Sequence, residues 1–217
     1  MKIYSTIVGP ALWGIPEITY FNKIDVVLEP IEDIILDCAF GLEQNGVNLR
    51  YSTKSYCDYL MAGQIQAVEA LFVEQRTAMH MAQEFQALRS KREFLVSRSY
   101  AKNVIDAIKE AQEMADKISF NVPDLSEEAS KALFKEKTKY KFIIVCLISS
   151  FLSIQDNKDT GTQIYFDPRN IVDEHVYNDF VQSGIEKINS FESKMTMSRI
   201  EILSLLRIDY MKKIVSL

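Results

Sequence analysis

The chain has 217 residues, of which 47% are hydrophobic and 25% charged, an ordinary globular composition that can bury a sizeable core. Its net charge of −5 argues against a general nucleic-acid coat or a binder of anionic membranes, because both need excess cations. Its 3 cysteines have no CxxC spacing, which argues against a disulfide framework or a zinc site and favours a reduced, cytoplasmic compartment.

Neither a secretory leader nor a membrane span is predicted. The N-terminal sequence leads into a strand-like stretch without a long apolar run. The most apolar run, residues 142–154, is shorter than the roughly 20 residues that a span requires. We therefore predict no membrane partner and interpret this run as a buried core helix.

The first third of the chain is predicted to contain strands and turns. Residues 2–9 and 24–29 are rich in β-branched and apolar types and stop at a glycine and a proline, which indicates two buried strands. Residues 47–51 alternate like a third strand after the turn signal at Asn45–Gly46. The stretch 30–40 fits a short helix or another strand equally well.

From Ser52 onward the apolar residues recur at helical spacing. Ser52 or Thr53 is expected to cap the first helix, and a second helix carries Leu71 and Phe72. Further helices are predicted over residues 77–90 and 92–118, before a break at 121–124. Asp124 or Ser126 is expected to cap a long helix that ends near Ile154. A polar loop at 155–170 and helices at 171–190 and 196–214 follow.

These patterns predict an α+β fold with two parts. Residues 1–75 form a small α/β unit with a mixed sheet. Residues 76–217 form an all-helical half that packs on it, because its apolar faces need a surface to cover them.

One stretch, residues 4–30, joins the first two strands through a turn bracketed by Gly9 and Gly14. Lys23 opens the second strand, and Asp25 follows two positions later. Because alternate residues of a strand point to the same side, Lys23 and Asp25 are expected to lie side by side.

The order of motifs resembles a family of predicted nucleotidyltransferases of bacteria and phages, which includes the RNA-repair-associated type. That family has a Gly-Ser-x-x-x-Gly turn before an acid-x-acid strand, whose acids share magnesium with nucleotide phosphates. Here the turn reads GPALWG (9–14) and the strand KID (23–25). The stretch YSTKSY (51–56), the tag EALF (69–72) and FLVSR (94–98) match later parts of the pattern.

Departures from the family pattern weaken the implied metal site. Pro10 replaces the hydroxyl residue and has no backbone N–H to hold phosphate. Lys23 replaces the first metal carboxylate, and no acid occurs between Asn45 and Lys54. Two unit charges about 4 Å apart interact by roughly 4 kcal/mol at an effective dielectric of 20. Replacing the acid by a lysine therefore turns an attraction of that size for the metal ion into a repulsion. The resemblance thus leaves Asp25 as the one candidate catalytic acid.

The resemblance implies that Gly9, Gly14, Lys23 and Lys54 hold a nucleotide phosphate, with Lys23 acting as a point charge in place of the metal. No cofactor is expected, and magnesium is expected at Asp25 only if the protein is active. Asp25 is interpreted equally well as a residual metal or nucleotide ligand and as an ion-pair partner of Lys23 or Lys54.

The most basic region of the chain is a second candidate surface. It is represented by four side chains that we consider for binding RNA or a protein partner: Arg89, Arg92, Arg98 and Lys102. The alternative is a solvated helix face on which the cations alternate with acids.

Three functional hypotheses follow. The preferred one is a degenerate nucleotidyltransferase-like protein that binds a nucleotide, an RNA or another protein instead of catalysing. The second is an active enzyme with a rearranged site that recruits Glu17, Glu29 or Glu69. The third, by analogy with the family's occurrence in phages, is a phage-encoded inhibitor or decoy that binds a host defence or toxin protein in the host cytoplasm. No pattern predicts an oligomeric state.

Overall fold

The computed structural model describes residues 1–8, 23–30, 33, 42–45, 48–118, 126–161 and 165–207. Within these ranges the chain has an α+β fold, with a five-stranded mixed sheet and a mostly helical C-terminal half. This confirms the predicted fold class.

The sheet has the strand order β3-β4-β2-β1-β5. Its strands are β1 (Lys2–Ile7), β2 (Lys23–Val27), β3 (Leu42–Asn45), β4 (Asn48–Ser52) and β5 (His80–Met81). β2 runs parallel to β4, and the other neighbouring pairs are antiparallel. The first residues of β2 and β4 therefore lie at the same sheet edge as the last residues of β1.

Seven α-helices occur in the described ranges. They are α1 (Thr53–Met61), α2 (Ile65–Phe72), α3 (Gln83–Arg89), α4 (Arg98–Asp116), α5 (Glu127–Gln155), α6 (Glu174–Asn189) and α7 (Arg199–Leu206). Short 3-10 helices occupy Gln75–Thr77, Arg92–Leu95 and Pro168–Val172. Ser52 and Ser126 accept backbone N–H bonds at the starts of α1 and α5, which confirms both predicted caps.

One face of the sheet packs against the helices. Tyr4 on β1 stacks on Phe85 of α3 with ring centroids 3.7 Å apart, and Tyr51 on β4 meets Tyr56 of α1 edge to face. The buried core is continuous from the strands to α7. β5 adds to the sheet after the predicted boundary at residue 75, so both predicted parts share one core.

The turn between α1 and α2 packs closely against the first residues of α4. Gly63 has φ +69°, and a Cβ there would lie 2.3 Å from the backbone nitrogen of Tyr100. Asn103 of α4 donates to the carbonyl of Gly63 at 2.8 Å. Only glycine tolerates both this backbone conformation and this close approach.

The structure corrects the predicted helices at 77–90 and 92–118. β5 interrupts the first, and the second begins as a 3-10 helix before α4. β5 forms because His80 and Met81 pair with Ser5 and Tyr4 of β1, a tertiary contact without a local sequence signal. β3 was also not predicted. The stretch 30–40 (except Asp33), the break at 121–124 and residues 208–214 lie outside the described residues.

By length and hydropathy, one described helix, α5, is able to cross a membrane. However, 61% of its most apolar window is buried inside the protein. A core helix of a folded domain can have the same length and hydropathy, so these two properties do not distinguish a core helix from a membrane span.

Candidate functional site

Asp25 lies on β2 on the face of the sheet opposite the aromatic core, because its neighbours Ile24 and Val26 point to the core side. Its Oδ2 is 2.8 Å from Lys2 Nζ and 3.7 Å from Lys23 Nζ. The side chain of Asp25 is 19% exposed. We refer to Asp25, Lys2 and Lys23 as the Asp25 triad.

Strand pairing explains how the triad forms. Lys23 and Asp25 are two positions apart on β2, as predicted, and pair with Ile7 and Ser5 of β1. The β1–β2 register shifts between Lys2 and Tyr4, and such an irregularity re-aims nearby side chains. Sequence reasoning missed Lys2 because its approach depends on this shift. Asp25 pairs with Lys23, one of the predicted alternatives, and with Lys2.

A third cation lies beside the triad. Arg50 of β4 pairs in register with Asp25, so both side chains lie on one face. Its Nη1 is 3.0 Å from an oxygen of Glu43 on β3. These side chains give the face three cations against two carboxylates.

The environment lowers the pKa of Asp25 below its usual 3.8. Burial raises this pKa, but hydrogen bonds from Lys2 and Ser5 and the charges of Lys2 and Lys23 outweigh it. Asp25 is therefore a fully ionised carboxylate near neutral pH. A general acid or base works best with a pKa near the working pH, so the geometry favours an ion-pair role.

No other described carboxylate completes a metal site around Asp25. The described residues contain no group of three or more His, Cys, Asp or Glu side chains that could hold a metal ion. Glu29 lies four residues further along an extended chain, roughly 13 Å away. Glu69 lies on α2 in the helical core. Burial is the main reason why the pKa values of Tyr100 and Cys146 are raised, and the charge of Glu69 raises both further. Glu17 lies outside the described residues.

Glu29 is completely buried, two residues beyond the C-terminal end of β2. Its Oε2 accepts a hydrogen bond from Thr53 Oγ1. Its Oε1 accepts from the backbone N–H of Lys54 at 3.0 Å and from Arg207 Nη2 at 3.2 Å. Arg207 Nε also donates to Thr53 Oγ1 at 2.9 Å. We refer to Glu29, Thr53 and Arg207 as the Glu29 cluster, which joins β2, α1 and the end of α7.

The pKa of Glu29 is also lowered. Burial raises it, but the hydrogen bonds from Thr53 and the Lys54 backbone, with the charge of Arg207, outweigh burial. Because each carboxylate oxygen has partners, the cluster is a satisfied structural contact. Sequence reasoning missed Arg207, because a single arginine after an apolar helix gives little indication of a buried ion pair.

The residues predicted to hold phosphate do not all meet. Lys23 pairs with Asn48 at the start of β4, whereas Lys54 follows the end of β4. The strand rise places these lysines on the order of 15–20 Å apart. Lys54 therefore belongs to the Glu29 end of the sheet. Gly9 and Gly14 lie outside the described residues.

Two of the four predicted basic-face residues are engaged by one aspartate. Arg89 Nη2 is 2.8 Å from Asp159 Oδ1, and Arg92 Nη1 contacts the same oxygen. Arg92 also donates to the side chain and the carbonyl of Asn157, at 3.0 Å each. Both arginines thus tie the loop after α5 to α3 and the following 3-10 helix.

The other two residues lie on α4. Arg98 donates to the carbonyls of Phe191 and Asn189 at 2.7 and 3.2 Å, at the end of α6, where a cation suits the helix dipole. Lys102 is exposed. Arg89 and Arg92 therefore hold the loop after α5, whereas Arg98 holds the end of α6. The RNA-binding or partner-binding role of these four residues stays a prediction.

Comparison of the chain with protein-family models, with curated proteins and with solved structures finds no match. The nucleotidyltransferase resemblance therefore rests on the motif residues, and the family, RNA binding, nucleotide binding and the decoy role stay predictions.

Proposed function

We propose that this chain is a nucleotidyltransferase-like protein that acts by binding and not by nucleotidyl transfer. The observation that carries the proposal is the Asp25 triad, in which two ammonium groups share the carboxylate at the motif's metal position. β4 also leads directly into α1, as the family's third strand leads into a helix.

The triad disfavours a divalent ion for an electrostatic reason. Mg²⁺ binds through one or two carboxylates together with substrate phosphates. Here an entering cation meets Lys2, Lys23 and Arg50 around the first carboxylate. The same three cations suit a phosphate group of a nucleotide or an RNA, bound without metal.

The proposal is tested by nucleotidyl transfer and by ligand-induced stabilisation. We expect the chain to transfer no nucleoside monophosphate from labelled nucleoside triphosphates with Mg²⁺ or Mn²⁺. A nucleotide or RNA oligomer that binds should raise Tm equally with Mg²⁺ and with EDTA. Metal-dependent transfer that is lost in Asp25→Ala would refute the proposal.

The variant Lys23→Asp tests the electrostatic argument directly. It places a second carboxylate two positions from Asp25, as in the family pattern, and we expect a Mg²⁺-dependent increase in Tm that the parent lacks. Lys91→Asp makes the same charge change at an exposed position away from the triad and should show no such increase. A parent chain that Mg²⁺ already stabilises as strongly as the variant would contradict the argument.

A further inference from the structure

A polar surface pocket of about 410 Å³ opens where the loop after α5 meets α3. Arg89 and Arg92 lie in its wall beside the side chains of Gln75, Gln86 and Asn157. We refer to it as the Arg89–Arg92 pocket. None of its residues belongs to the Asp25 triad or to the Glu29 cluster.

The charges in this wall do not balance. Arg89 and Arg92 converge on the same oxygen of Asp159, so two guanidinium groups share one carboxylate. The arginine side chains are only 16% and 17% exposed, and water screens their excess positive charge weakly. An anion in the pocket would neutralise that excess.

The wall also contains an unused donor. The Nε of Arg89 is buried and has no hydrogen-bond partner in the described part of the chain. A buried donor without an acceptor is unfavourable, so the Arg89 side chain keeps an unused capacity to bind an oxygen atom. The carboxamides of Gln75 and Gln86 supply further donors at the pocket surface.

The two guanidinium groups are held in fixed positions. Arg92 lies over the Phe72 ring at 4.8 Å and donates to Asn157, while Arg89 donates to the Val73 carbonyl at 2.8 Å. Planar guanidinium forks bind phosphate oxygens with two parallel hydrogen bonds, and preorganisation lowers the entropy cost of that contact.

We propose that the Arg89–Arg92 pocket binds a phosphate-type oxyanion, either free or as the terminal group of a small phosphomonoester. Asp159 is a positioning residue that orients both arginines, and the anion occupies the open side of the pocket. This site goes beyond the proposed function and shares no residue with it.

The experiment is isothermal titration of the full chain at low salt with inorganic phosphate, with adenosine monophosphate and with adenosine. We expect phosphate and the monophosphate to bind and adenosine not to bind. Tighter binding of inorganic phosphate would identify the free anion as the ligand, and tighter binding of the monophosphate would identify an ester. Equal binding of adenosine and its monophosphate, or no binding of either phosphate compound, would overturn the proposal.

Substituting an arginine risks loosening the loop, so the deciding variant is Gln86→Glu, which places a carboxylate in the pocket at an exposed position. We expect it to weaken phosphate binding by roughly tenfold or more, through charge repulsion, without lowering Tm. Gln112→Glu on α4 makes the same change outside the pocket and should bind phosphate like the parent. Unchanged binding in Gln86→Glu, or loss in Lys23→Ala instead, would place the anion elsewhere and refute the proposal.

Discussion

Asp25 lies on β2 and Glu29 lies two residues beyond the end of that strand, and the two carboxylates have contrasting environments. Asp25 is held by two lysine side chains that are 42% and 35% exposed. Glu29 is fully buried and receives bonds from a hydroxyl, a backbone N–H and a guanidinium. The first is an ion cluster with partly exposed lysines around a largely buried carboxylate, and the second is a fully buried contact between distant elements.

This difference shows that a motif position does not identify the carboxylate on which the fold depends. Exposed ion pairs contribute about 0–1 kcal/mol, because solvent screens them and holding the side chains costs entropy. Removing one partner of a buried pair costs about 3–5 kcal/mol, because an uncompensated charge remains. Glu29 is therefore expected to control stability, and Asp25 to control which ions approach the sheet.

The largest expected effect is that of Glu29→Ala. It leaves Arg207 and the Lys54 N–H without their acceptor, so we expect a loss of about 3–5 kcal/mol in the free energy of unfolding. Urea denaturation measures this loss. The double variant Glu29→Ala/Arg207→Ala should lose less than the sum of the single losses, because it removes both charges. If Glu29→Ala lowers the free energy of unfolding by less than about 1 kcal/mol, Glu29 does not stabilise the contact between these elements.

A smaller loss is expected for Arg207→Lys. Lysine keeps the charge but cannot bond both Glu29 and Thr53 with the geometry of the arginine side chain. We expect a loss of about 1–3 kcal/mol, again by urea denaturation. Lys2→Arg makes the reverse exchange at Asp25 and should change stability by less than about 0.5 kcal/mol. Equal losses at the two positions would remove the distinction between them.

The pH dependence of the unfolding free energy should separate the contributions of Glu29 and Asp25. The folded pKa of Glu29 lies below its usual 4.5, so its stabilisation is complete above that pH and is lost as pH falls through the lowered value. We expect Glu29→Gln to flatten the dependence of unfolding free energy on pH as pH falls below 4.5, the usual pKa of the carboxyl group. Asp25→Asn should flatten it less and at lower pH, because its usual pKa is 3.8. A variant series with identical slopes would contradict this assignment.

Among the variants that remove a carboxylate, the smallest loss of stability is expected for Asp25→Ala. Its lysine partners can turn toward water, so the loss should be below about 1 kcal/mol and should shrink further in high salt. Thermal unfolding at low and high salt measures both. A salt-independent loss as large as that of Glu29→Ala would make Asp25 a structural residue and would weaken the proposed binding role of its face.

The parts of the fold that local pattern controls could be predicted from the sequence. β1, β2 and β4, the caps at Ser52 and Ser126, and the closeness of Lys23 to Asp25 follow from composition, capping chemistry and the strand period. β5 could not be predicted, because it forms by pairing with β1 across more than seventy residues.

The site predictions that the structure changes depended on tertiary geometry. Lys54 lies far from Lys23 because β4 runs parallel to β2, a direction that sequence does not specify. The sequence suggests that Arg89 and Arg92 form a basic surface, because their shared partner, Asp159, lies 70 and 67 positions away along the chain. Lys2 and Arg207 had no local pattern that marked them.

Arg207 lies 178 positions after Glu29. During translation, Glu29 is therefore synthesised long before its guanidinium partner, and chain synthesis at about 5–20 residues per second separates the two by about 9–36 seconds. We expect the nascent sheet to stay susceptible to proteases during that interval, so a chain stalled before residue 207 is a target for cellular quality control.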